Sequence, residues 1–129
     1  MIQDEKDLLI KDLCGRLLHG VKCKILETNE IKILGSIQYD GENTLFDFWE
    51  DDQKIQYGYQ LYLSEFKPCL LPISSMTEEQ NLEYLNTCRG GNSYCPTSKT
   101  FDWFDKNHFD YRDLIPMGLA NDATDKNIY

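Results

Sequence analysis

A cluster of lysine or arginine is missing from this sequence. Thirteen basic residues are scattered among 22 acidic ones, for a net charge of −9 over 129 residues. Proteins that bind phosphate backbones present a basic patch, so direct nucleic-acid binding is not expected. The acidity suits solubility, and secondarily the surface of a basic protein partner. Long apolar runs are missing as well. No stretch approaches the roughly 20 residues of a membrane span. After the acidic opening Met1 to Asp7, the run Leu8-Leu9-Ile10 is too short for the apolar part of a secretion signal. No membrane partner is expected, and the expected location is cytoplasmic.

The chemistry-bearing residues are sparse. Histidine occurs twice, at His19 and His108, and no phosphate-binding glycine loop, dinucleotide fingerprint or Gly-x-Ser-x-Gly elbow is present. The five cysteines, Cys14, Cys23, Cys69, Cys88 and Cys95, are odd in number and fall in unrelated segments. That is not a disulfide framework, and free thiols in a reducing compartment are expected. Cys88 and Cys95 flank a glycine-rich stretch. Zinc ligands pair at shorter spacings and need a second pair, which this chain lacks. Neither a metal nor a cofactor is expected.

What the sequence does have is two kinds of periodicity. Over residues 4 to 19, Ile10, Leu13, Cys14, Leu17 and Leu18 recur at helical spacing. Asp4 is placed to cap the start, and Gly20 to end the helix in the left-handed conformation. From residue 21 the period changes to two. Val21, Cys23 and Ile25 alternate with lysines, and Ile31, Ile33, Gly35, Ile37 and Tyr39 repeat the pattern. Leu45 to Trp49 is an aromatic run, and Ile55, Tyr57, Tyr59, Leu61 and Leu63 alternate again. Thr28-Asn29, Asp40-Gly41 and Asp51-Asp52 are turn-like links, so an antiparallel meander is predicted, with Ile31, Ile33, Ile37, Tyr57, Tyr59 and Leu61 facing inward. Short twisted strands of this kind curl into a small SH3-like open barrel, with Gly35 and Gly58 at bends.

Phe66 to Pro72 reads as a proline-bounded connector. Ser75-Met76-Thr77-Glu78 reads as a capping box opening a helix to about Cys88, with Leu82 and Leu85 on its apolar face. Arg89 to Lys99 has loop composition. A further helix is predicted over about Thr100 to Asn107, with a short helical turn from Asp110 to Ile115. The fold class is therefore α+β in one domain: helix 1–20, β-meander 21–72, helical part 73–120, and a frayed polar tail 121–129.

Three groups of residues are candidates for function. His108 lies beside Asp105 and Asp110, so a small enzyme using His108 with a neighbouring carboxylate is the alternative reading. At a helix end, however, an imidazole usually satisfies carbonyls. The acidic sets Glu50-Asp51-Asp52 and Glu78-Glu79 fit a turn and a helix start, while Asp102, Asp105, Asp110 and Asp113 form an acidic series. The aromatics Phe101, Trp103, Phe104, Phe109 and Tyr111 are dense. Phe101 and Phe104 share a helical face and are expected in the core. Trp103 lies off that face, and with Tyr111, Arg112, Asp102 and Asp110 it forms the predicted partner-binding set.

Two segments carry a family likeness. One is Leu71-Pro72-Ile73-Ser74-Ser75-Met76-Thr77-Glu78-Glu79. The other comprises Phe101-Asp102-Trp103, Asp110-Tyr111-Arg112, Leu114-Ile115-Pro116 and Gly118-Leu119-Ala120. Together they resemble small uncharacterised accessory proteins of gut anaerobes of the Bacteroides type and of their phages. This chain has Asp113 where that pattern has glycine. The resemblance covers roughly the second half of the chain and implies a phage or mobile-element accessory protein, without an activity to transfer. The reading from residues and resemblance together is a non-enzymatic protein-interaction module that acts on a host protein through an acidic and aromatic surface.

Overall fold

Alternating apolar residues from Lys22 to Leu61 become antiparallel strands in the computed structural model of the chain, which describes residues 1–49, 56–88 and 95–129, the side chains of 56–59 excepted. In chain order the elements are α1 (Gln3–Arg16), β1 (Lys22–Ile25), β2 (Ile31–Tyr39), β3 (Thr44–Trp49), β4 (Gln56–Leu61), β5 (Phe66–Pro72), α2 (Glu78–Thr87), α3 (Ser98–Lys106), β6 (Phe109–Asp110) and β7 (Asn121–Asp122). The class is α+β. The sheet runs β4-β3-β2-β1-β5-β6 and stays open, with β7 also pairing β5.

Strands β1 to β4 form the predicted meander, each pair antiparallel. Turn chemistry holds two of its links. Asn29 takes φ 62° between β1 and β2. Between β2 and β3, the Asp40 carboxylate accepts the amides of Asn43 at 2.7 Å and Glu42 at 2.9 Å. Those two bonds hold its carboxyl below the usual range. The third link, with the acidic set Glu50-Asp51-Asp52, lies outside the described residues, as do Ile55 and the side chains of Tyr57 and Tyr59.

The inward face of β2 differs from the alternation predicted. Leu34 is fully buried, Ile31 is exposed, and Ile33 is half-buried. The register of β2 against β3 shifts between Leu34 and Ser36, so Gly35 marks a bulge. One inserted residue moves the side chains beyond it to the other face, which is how Ile37 still packs on the core. A methyl group at Gly35 would stand 2.4 Å from Trp49 Nε1, so only glycine fits there. Phe46 and Phe48 of β3 meet Phe66 edge-on, at 5.0 Å each, and fill the centre of the core.

The connector predicted over Phe66 to Pro72 is instead strand β5, the pivot of the sheet. It pairs β1 antiparallel, then β6 and β7 in parallel. Its first proline is tolerated because β7 and β6 pair only from Cys69 and Leu71 onward, past Pro68. The tail predicted to fray is anchored. The Ala123 amide donates to Leu70 O at 2.8 Å, and the Tyr129 hydroxyl donates to Cys69 O at 2.7 Å.

In α1 the buried stripe is Leu9, Asp12, Leu13 and Arg16. Of the stripe predicted from apolar spacing, Cys14 is exposed and Leu18 is 92% exposed. Gly20 takes φ 67° and ends the helical segment as predicted, but the start is capped by Glu5, whose carboxylate accepts the Ile2 amide at 3.1 Å. In α2 the capping box is Thr77 with Gln80, two residues later than predicted, and Leu82 is 63% exposed. Among the described residues Cys14, Cys23, Cys69 and Cys88 are free thiols. No helix among the described residues is long and apolar enough to cross a membrane.

Replacing Gly35 by alanine should cost about 1–3 kcal/mol, because the Trp49 ring must leave its place on the bulge. Urea unfolding followed by tryptophan fluorescence measures this, and an unchanged midpoint would show that the bulge accommodates a side chain.

Candidate functional site

Two side chains that belong in water, by their chemistry, are fully buried in α1. Asp12 and Arg16 stand four residues apart on one helical face and pair at 2.8 Å. A buried guanidinium needs partners for its donors. Arg16 Nη2 donates to Phe109 O at 2.6 Å, tying α1 to β6. Its Nε lies 3.8 Å from the Asp105 carboxylate of α3. The second oxygen of Asp12 accepts from Arg112 Nη1 at 2.8 Å. Helices α1 and α3 approach closely enough that a methyl group on Gly15 would stand 3.0 Å from Asp105 Oδ2.

The Tyr111 ring covers this network. The Arg112 guanidinium lies 4.6 Å from the ring centroid and that of Arg16 5.4 Å away. Phe104 stacks on it at 5.3 Å, and Phe101 lies 5.3 Å away. Burial and the neighbouring Asp105 carboxylate push the Tyr111 hydroxyl up to about 12, so it stays a donor, aimed at Asp105. Burial likewise raises Asp105, against the pull of Arg16.

The predicted partner-binding residues separate in space. Asp102 is exposed on α3. Asp110 is buried: its two oxygens accept the amides of Leu114 at 3.0 Å and Ile115 at 2.9 Å, capping the turn that follows. That turn uses Asp113 at φ 59°, the left-handed region that glycine favours. Trp103 is half-buried, stacked on Phe109 at 5.4 Å and 11°. Tyr111 and Arg112 are half-buried around the ion-pair network, and Trp103 and Tyr111 are linked through Phe104, which touches both. Phe101, predicted for the core, is 43% exposed, while its helical neighbour Phe104 is buried. The α3 stripe that faces inward is Thr100, Phe104 and Asp105, which turns Phe101 to the rim.

Beside α3 lies a cleft of about 380 Å³ between the turn at Ile73–Ser75, α2 and α3. Ile73, Met76, Tyr84 and Phe104 form its apolar walls, with Glu78 and Asn81 at its edge. Tyr84 packs on Phe104 at 5.5 Å and on Trp103 at 6.2 Å. The predicted set included none of these cleft residues. A second cleft, of about 430 Å³, opens between the start of α1 and the β2–β3 turn. The described residues hold no cluster of three or more potential metal ligands.

His108 lines neither cleft. Its ring stacks on Tyr129 with centroids 3.6 Å apart, and its backbone takes φ 64°. Its carboxylate neighbours in sequence are committed elsewhere: Asp110 caps a turn, and Asp105 faces Arg16 and Tyr111. The basic groups bearing on the imidazole are those of Arg16, His19 and Lys22. Burial, helped by them, pushes its pKa down to about 4.

No family model, curated protein or solved structure matches this chain.

The depressed His108 pKa has a consequence for stability. The unfolded chain takes up this proton near pH 6.5, whereas the folded chain takes it up only near 4. Stability from this group is therefore complete above about pH 6.5 and lost as the pH falls through 4. His108→Asn should remove that part of the slope, since asparagine tolerates positive φ. Denaturation midpoints of both proteins between pH 7 and 4 measure the difference. Parallel curves would place the imidazole in water.

Proposed function

We propose that the chain is a non-enzymatic protein-interaction module, of the phage or mobile-element accessory kind, that engages a host protein through the aromatic surface of α3 and the cleft beside it. The observation that carries this reading is the exposure of Phe101. A phenylalanine 43% open to solvent sits beside Phe104, which forms a wall of the apolar cleft, and Ile73 on the opposite wall is also 43% exposed. Contiguous exposed apolar surface costs solubility and is characteristic of contact sites. The surface also has the aromatic and arginine composition that carries binding energy, through Phe101 with Tyr111 and Arg112 beside it. Asp102 is exposed next to Phe101 and supplies the acidic component. The net charge of −9 disfavours nucleic acid as the direct ligand and favours a protein.

The division of labour within α3 gives the test. Phe101→Ala removes rim surface and should change stability by less than about 1 kcal/mol. It should weaken the partner by about 2 kcal/mol or more. Trp103→Ala removes a ring stacked on the core residue Phe109 and should cost about 2–3 kcal/mol of stability, below the value for a fully buried aromatic. Affinity capture from extracts of the native host, with thermal melting of each variant, separates the two roles. Failure to retain any host protein, or retention unaffected by Phe101→Ala, would count against the proposed surface.

A further inference from the structure

The slot that holds Tyr129 interrupts the sheet. Strands β1 and β5 pair Lys24 with Lys67 and Cys23 with Pro68, and the same register would pair Lys22 with Cys69. The Tyr129 hydroxyl stands between those two residues instead, accepting the Lys22 amide at 2.8 Å and donating to Cys69 O at 2.7 Å. Burial keeps that hydroxyl protonated. The His108 ring forms a wall of the slot, stacked on the phenol with the two planes 12° apart. Beyond the two-residue pairing of β7, little else ties residues 121–129 down. Ala123 is the one buried residue among them, its amide donating to Leu70 O, and Lys22 Nζ donates to Ile128 O. Asp122 and residues 124–127 are exposed, and Asp125 and Asn127 take left-handed φ angles of 64° and 53°. A segment with so few buried contacts opens before the domain unfolds.

We propose that residues 121–129 form a strap released by acid: protonation of His108 expels Tyr129 from its slot and frees the segment, while the rest of the domain stays folded. The surroundings of the imidazole suit only the neutral ring. Its Nδ1 is buried and has no hydrogen-bond partner among the described residues, so a proton there would meet no acceptor. Arg16 and His19 bear on it from the first helical segment and Lys22 from β1, all of them basic. The strap contributes the protonated phenol, and β5 the thiol of Cys69, which burial also keeps protonated. From α3 and β6, Asp105 faces Arg16 and Tyr111, and Asp110 caps its turn. The stacked phenol ring attracts a cation weakly and offers it no acceptor. Burial, with the basic neighbours, lowers the His108 pKa to about 4; with the strap away, one face of the ring meets water and the pKa returns toward its ordinary value of 6.5. Closure therefore keeps its full strength above about pH 6.5 and weakens by up to about tenfold per pH unit as the pH falls toward 4. Opening parts the Lys22 amide and the Cys69 and Leu70 carbonyls from their present partners. His108 lines neither cleft, so the strap is separate from the proposed contact surface.

The test is a titration of the whole chain, labelled with ¹⁵N, from pH 7 to 4.5. The ring resonances of His108 report its protonation, and heteronuclear NOEs report order along the backbone. As His108 titrates, the NOEs of residues 121–129 should fall and the Lys22 amide should shift, while the amides of Leu34, Phe46 and Phe48 hold their positions. Tyr129→Ala should free the segment already at pH 7 and raise the His108 midpoint by about half a pH unit or more. In His108→Asn the order of the segment, at whatever level, should be the same at pH 7 and 4.5. Unmoved meander amides verify that each variant folds. A segment without order at pH 7, or one still ordered at pH 4.5, would overturn the proposal. So would a His108 that titrates with the segment in place, a midpoint unchanged by Tyr129→Ala, or a response to pH that survives His108→Asn. Loss of the segment and the meander together would show unfolding rather than release, and would equally overturn it.

Discussion

A guanidinium with no access to water must be matched by the protein around it, and Arg16 imposes that demand on four parts of the fold. Asp12 answers within α1, Phe109 O answers from β6, Asp105 answers from α3, and Arg112 completes the pairing by binding the other oxygen of Asp12. Burying these groups is costly, and an ion pair of this kind recovers the cost only with good geometry and shared hydrogen bonds. The gain is in position. The contacts that engage Arg16, whose Nη1 is left without a hydrogen-bond partner among the described residues, hold α3 so close to α1 that a methyl group at residue 15 would stand 3.0 Å from Asp105 Oδ2, and they set β6 at the edge of β5.

The candidate site inherits its shape from this arrangement. With Asp105 and Phe104 turned inward, Phe101 is left at the rim, and Tyr111 is held between arginines and phenylalanines. Asp110 then caps the turn that places Leu114 in the core. The meander depends less on the network. Its own core is the Phe46, Phe48 and Phe66 cluster with Leu34 and Ile25, joined to the helices through Leu9, Leu13 and Leu114. The proposed interaction surface is mounted on a polar, geometrically exacting support, beside a simpler apolar core, so its angle to the sheet is set by few residues. In the proposed module such positions would couple stability and recognition, because moving α3 moves both Phe101 and the cleft.

Periodicity made much of this architecture legible. The change from helical to period-two spacing at residue 21 locates α1 and the meander, and the class α+β follows. What it missed has physical reasons. Apolar spacing put Cys14 and Leu18 on the inner face of α1, because hydrophobicity does not register a buried ion pair; Asp12 and Arg16, at i and i+4, were the available signal. One bulge at Gly35 shifted the inward set of β2. Prolines disguised β5, whose parallel neighbours β6 and β7 begin only beyond Pro68. At the site, the density of aromatics around α3 was visible, but the buried one of Phe101 and Phe104 was decided by α1, which no local pattern contains. The acidic series suggests surface charge for Asp110, although its spacing to Leu114 and Ile115 suits a cap. The cleft, built from segments distant in sequence, had no local signature.

A double-mutant cycle between Asp12 and Arg16 tests most directly whether the network organises the fold. Arg16→Met, Asp12→Asn and the double variant would be unfolded in denaturant, with exchange of the Leu71, Leu114 and Ile115 amides followed in each. Removing either partner leaves a buried charge with only its second contact, Arg112 for Asp12 or Phe109 O for Arg16, so each single change should cost about 3 kcal/mol, and the pair should couple by about 2 kcal/mol or more. The amides that join β5 to β6 and close the turn capped by Asp110 should lose protection before those of the meander. Additive effects within about 0.5 kcal/mol, with protection lost evenly through the sheet, would contradict the account.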